Sequence, residues 1–230
     1  MNTVFSRRDL IKFGGLAAAG SLFIPTLAFA DNSSGSNESI PVPSCRFTVE
    51  DSNGNILLSK EGAGVDNLST NARSGSSNLC LYRDMNTVQN SDGTVVSSCS
   101  ARLAMPTSGS ARNIGSDTAD EPSALVKIEV TYSIIDPNIQ ISKAVGTVYS
   151  KASFASIQGR SMAVSQGLIG QFSKDATFST QSHTIVTNWD YCPYQPTMNS
   201  MFTHLNGGEC VGVVYVSGMG ETYIRANWVI

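Results

Sequence analysis

One stretch constrains the fold of this chain more than any other. Between Leu125 and Ile135, the residues Val126, Ile128, Val130, Tyr132 and Ile134 alternate with Lys127, Glu129, Thr131 and Ser133. Side chains repeat every two residues only in an extended strand, so this segment buries one face and wets the other. Helical spacing would scatter the same apolar residues around a cylinder. The pattern recurs at Cys45–Val49, Ile56–Leu58, Leu79–Val88, Thr94–Met105, Ile139–Tyr149, Ser161–Leu168, Ala176–Trp189, Val211–Val216 and Thr222–Ile230. Asn53-Gly54 and Asp92-Gly93 supply hairpin turns, and Ser217–Glu221 joins the last two strands. The reading is an all-β chain of about ten strands, an antiparallel β-sandwich over residues 45–230. Gly62–Ser77 reads as a loop, and the polar run 106–122 as a long connection or a sub-domain boundary. Residues 31–44, small and polar with two prolines, read as a linker.

Composition agrees with a chain that works outside a cell. Only 14% of residues are charged, and the formal net charge is −3. No basic cluster is present to neutralise phosphates, which argues against a nucleic-acid partner. Five cysteines, Cys45, Cys80, Cys99, Cys192 and Cys210, are widely spaced. In an oxidising compartment such a set forms disulfides, and the odd number leaves one over. Connectivity does not follow from spacing. The pairs that close the shortest loops are Cys80–Cys99 and Cys192–Cys210, with Cys45 left out.

The N-terminal segment resembles a twin-arginine (Tat) export signal. Ser6, Arg7, Arg8, Leu10, Ile11 and Lys12 fit the arginine motif, a mild apolar helix follows, and Ala28 and Ala30 form an Ala-x-Ala signal-peptidase site. The resemblance covers residues 1–30. It implies a bacterial source, passage through the Tat translocase, removal of the leader by signal peptidase, and a secreted or cell-wall-associated product without a stable membrane anchor. Removing three basic residues and one acidic one leaves a mature net charge of about −5. Export of a folded chain also implies that its disulfides close after export, and it raises the expectation of a cofactor without naming a ligand. From Lys127 onward the chain is similar to a loosely defined set of small secreted β-proteins of Gram-positive bacteria. Val130-Thr131-Tyr132-Ser133, Ile141–Gly146 and Arg160–Gly167 carry that likeness, which assigns no functional residue.

The densest chemistry lies between His183 and Cys210. His183, Cys192, His204 and Cys210 are zinc or copper ligand types, but their intervening spacings of 8, 11 and 5 residues contain no close ligand pair. The plainer reading is a disulfide-clasped loop, so no cofactor is assigned. A thiol nucleophile with a histidine base lacks local support, and Gly-x-Ser-x-Gly is absent. Trp189, Tyr191 and Tyr194, beside Pro193 and Pro196, suit contact with a glycan or a protein, and against that stands a Trp189 that simply packs inward. Asp51–Asn55 has the look of a calcium loop without its distal glutamate, and reads as a turn. The expectation is a non-enzymatic interaction module at the cell surface; the alternative is an exported metal or cofactor enzyme using the His183/Cys192/His204/Cys210 region.

Overall fold

A computed structural model describes residues 43–69, 78–105, 123–135, 137–167, 172–193 and 206–230, all within one compact unit spanning Ile40–Ile230. The leader and all but the last two residues of the polar tract 31–44 lie outside the described residues, as does 106–122. The described residues form strands and turns, with no helix among them. In chain order the strands are β1 Ser44–Asp51, β2 Ile56–Glu61, β3 Gly64–Ser69, β4 Asn78–Gln89, β5 Thr94–Ala104, β6 Ser123–Ile135 and β7 Asn138–Ser150. They continue as β8 Ala155–Gln166, β9 Phe172–Thr177, β10 Ser182–Val186, β11 Cys192–Pro193, β12 Gly207–Val216 and β13 Gly220–Val229.

These strands make two antiparallel sheets. One has the order β2-β1-β13-β12-β8-β9, the other β10-β7-β6-β5-β4-β3 with β11 paired to β7. Strands β5 and β6 flank segment 106–122 and pair from Thr94↔Ser133 to Ala104↔Ser123. The strands on either side of that segment are thus neighbours in one sheet.

The sheets share one core. On β6, Val126, Ile128, Val130 and Tyr132 are all buried, as the alternation requires. On β13 the inward positions are Thr222, Ile224, Ala226 and Trp228. Strand β12 presents Gly208, Cys210 and Gly212 to the other sheet, and small residues there permit close approach. A Cβ on Gly212 would come within 2.7 Å of Val126 and 2.9 Å of Val148, and one on Gly208 within 2.7 Å of Ile128. Val126, Ile128 and Val148 occupy the room that side chains on β12 would otherwise take.

The disulfide pairing differs from the shortest-loop expectation. Cys45 on β1 is bonded to Cys99 on β5, with Cα atoms 5.9 Å apart, so the bridge ties one sheet to the other. Cys80, Cys192 and Cys210 are free thiols, all buried. Cys80 stands opposite Ala104 while Cys99 stands opposite Met85, five rungs away. That separation is about 17 Å along the strand, far beyond disulfide reach. Cys192 sits against Asn206, four residues before Cys210 and so about 13 Å from it along an extended chain.

The chain crosses between sheets at both edges, and an arginine marks each crossing. At one edge β2 ends one sheet and β3 begins the other. Arg83 reaches in from β4, pairs with Asp66 at 2.8 Å, and donates to the carbonyls of Glu61 (2.9 Å) and Gly62. At the opposite edge the chain passes from β9 to β10. There Arg160 donates to the carbonyls of Val148 (2.9 Å) and Ser179 (3.3 Å), and its own carbonyl accepts from Phe178 N.

Candidate contact site at one end of the sheets

The part of the predicted cluster around Cys192 lies where β6 turns into β7, and where β8 ends and β12 begins. Cys192 and Pro193 extend the sheet for two residues, opposite Ile139 and Asn138. Asn138 in turn stands opposite Ile135, so Ile135, Asn138 and Pro193 form one rung at the rim. Ile135 is 61% exposed and Tyr191 39%. Tyr194, Pro196 and His204 lie outside the described residues.

Trp189 does not join an exposed aromatic face. It is buried, with its ring stacked on Phe172 at 5.9 Å and 28°. Of the three aromatic contact residues expected, the structure places Trp189 in the core and Tyr191 at the surface. An aromatic ring gains most where both faces are covered, and Phe172 at the start of β9 supplies the cover.

A buried polar network fixes the segment 187–192, and its members gave no signal as a group in the sequence. Gln166, fully buried at the end of β8, accepts a hydrogen bond from Ile141 N at 2.6 Å and donates to Asp190 O at 2.7 Å. Gln140 donates to Trp189 O at 2.6 Å. Thr187 donates its hydroxyl to Ile141 O, and its amide donates to Ser142 O at 3.0 Å. Asn206, also fully buried, accepts from Gly167 N at 3.1 Å and from the Cys192 thiol at 3.8 Å. Residues 193 and 206 are thereby held near one another by groups that cannot be left unpaired without cost. The one hint in the sequence was Gln166 itself, an amide in phase with the inward Met162 and Val164.

The ligand set His183, Cys192, His204 and Cys210 is not brought together as far as it is described. His183 pairs with Gly146 and Cys192 with Ile139, seven residues apart on β7, or about 23 Å along the strand. The His183 ring stacks on Phe178 at 5.6 Å and 19°. Among the described residues no three His, Cys, Asp or Glu side chains group as a metal site. Both thiols are held in the protonated form. Burial pushes the Cys192 thiol up, with a Gln166 hydrogen bond opposing. Burial also pushes Cys210 up to about 12, against hydrogen bonds from the backbone of Thr147 and Lys127. A protonated thiol is a poor nucleophile and a poor metal ligand. Cys80 is likewise engaged, donating to Asn67 Oδ1 at 3.3 Å.

The loop with a calcium-like sequence is a turn. The Asp51 carboxylate accepts from Asn53 N (2.8 Å), Asn55 N (2.9 Å) and Asn55 Nδ2 (2.8 Å). Its side-chain and backbone bonds to Asn55, ahead of those to Asn53, hold its pKa below the ordinary value. Gly54 completes the turn at φ 80°, a conformation that favours glycine.

No protein-family model, no curated protein and no solved structure matches the chain.

Proposed function

We propose that this chain is an exported β-sandwich protein that acts at the cell envelope by surface contact and does not turn over a substrate. The observation that carries the reading is the commitment of the chemically versatile side chains to packing. Trp189 is in the core, His183 is stacked on Phe178, and Cys192 and Cys210 are buried, protonated thiols. Among the described residues, what the same end offers outward includes two apolar side chains beside the exposed Asn188 and Asp190. Ile135 and Tyr191 are exposed beside the rim rung with Pro193, on a base fixed by Gln166 and Asn206. A contact surface that is ordered before binding loses less entropy on association. The Tat-like motif at Arg7 and Arg8 and the Cys45–Cys99 bridge support an oxidising destination.

Two experiments test this reading. The full chain expressed in a Gram-positive host should be found outside the membrane, and R7K/R8K should retain it inside. Purified mature protein should co-sediment with cell-wall fragments of that host, and Y191A with I135S should weaken that binding without lowering the melting temperature. A wild-type chain that carries about one metal ion per molecule after chelator-free purification, and that ignores cell walls, would overturn the proposal in favour of an exported metalloenzyme.

A further inference from the structure

Two polar atoms in the shared core have no hydrogen-bond partner among the described residues although both are fully enclosed. They are the Tyr132 hydroxyl and the Trp228 indole N–H. Both residues are 0% exposed, and their rings lie 5.2 Å apart at 49°. They come from opposite sheets, Tyr132 from β6 and Trp228 from β13. Trp228 stands opposite Cys45 on one side and Gly208 on the other. Gly208 sets no side chain of β12 beside the indole, and Ile128 and Val130 of the facing sheet pack against the glycine instead. A buried donor left without an acceptor is destabilising, and two such donors on rings in contact can be met by one shared acceptor. Buried waters meet this need in proteins, typically with two to four polar partners (about one per 27 residues).

We infer that a single water molecule is held in the core between Tyr132 and Trp228, accepting from the indole N–H and exchanging a hydrogen bond with the phenol. Among the described residues no side chain takes over this role. The nearest inward neighbours along the two strands are Val130, Ile134, Ala226 and Ile230, all apolar. In one sheet Trp228 shares its rung with Cys45, while in the other Tyr132 stands four residues along β6 from Ile128, the partner of Cys99.

The sign of one substitution decides the matter. With the water in place, Y132F removes a partner and lowers the melting temperature. Without it, Y132F removes only an unsatisfied hydroxyl, and the melting temperature stays level or rises. The cycle Y132F, W228F and Y132F/W228F adds a second readout: a shared water couples the two changes, whereas independent orphans give additive shifts. A crystal structure at high resolution should show density within hydrogen-bonding distance of both atoms. Should W228F not fold, Y132F and the density still decide. A level or raised melting temperature for Y132F, or a dry site in the density, overturns the inference.

Discussion

The two edges of the molecule perform the same task by different means. At each edge the chain leaves one sheet and enters the other, exposing backbone carbonyls that neither sheet can satisfy, and at each edge an arginine satisfies them. At the β2–β3 edge Arg83 is buried, ion-paired with Asp66, and braced over the Phe47 ring at 6.0 Å. At the β9–β10 edge Arg160 is half-buried and bonds carbonyls, on strands that also carry Lys174 with its ammonium on Val186 O at 2.8 Å. A guanidinium suits both places because it offers five donors in a fixed plane. The difference is what remains if it is removed. Loss of Arg160 takes the donor from two carbonyls, whereas loss of the buried Arg83 takes it from two carbonyls and also leaves the partly buried Asp66 carboxylate without its ion pair.

That contrast orders the expected effects of change. Breaking the Cys45–Cys99 bridge, which closes a loop with a sequence separation of 54, should cost the most, about 4 kcal/mol by loop entropy. Urea unfolding of C45A/C99A against wild type measures it, and an unchanged midpoint would show that the bridge does not hold the sheets. Arg83→Met should follow at about 2 kcal/mol, since the Glu61 and Gly62 carbonyls and the partly buried Asp66 carboxylate all lose their donor. Adding Asp66→Asn to it should recover part of the loss, and absence of recovery would mean the edge is held by something other than the pair. Arg160→Met should cost about 1 kcal/mol; a loss equal to that of Arg83→Met would erase the proposed asymmetry between the edges. The smallest effect concerns pH. The folded-state pKa of Asp51 is depressed, so its contribution is present above the ordinary carboxyl value and is lost as pH falls through the folded one. Protection factors for amide exchange in β2 should therefore fall in acid before those in β9, and an equal fall would show that the Asp51 turn does not secure that edge.

The same two edges are where the sequence misleads. The strands with clean alternation, such as β6 and β13, are legible because each inward residue is apolar or small. Strand β3 reads as a loop because its inward positions are Gly64, Asp66 and Leu68, and Asp66 is inward only to meet Arg83. The run Ala176–Trp189 reads as a single strand, yet it divides between β9, β10 and the anchored segment 187–191. Phe178–Gln181 contains no glycine or proline to announce a crossing, and the contacts that make it, to Arg160 and to Val148 N, are distant in sequence. The disulfide was illegible for a related reason. Spacing favours short loops, whereas Cys45 and Cys99 meet only because two sheets stack. At the candidate site, the exposed Tyr191 was foreseen, but the inward turn of Trp189 and the supporting amides of Gln166 and Asn206 depend on packing that no local pattern encodes.

The position of Ser44 has a practical corollary. Ser44 pairs with Val229, Gly207 pairs with the same residue, and Asn206 O accepts from Ile230 N. Ser44 and Ile230 therefore both lie beside the rim that carries Tyr191. An affinity tag or resin attached directly after Ile230 would crowd that rim and mask a ligand. Immobilisation through a cysteine grafted into the far hairpin at Ser217 would leave it free.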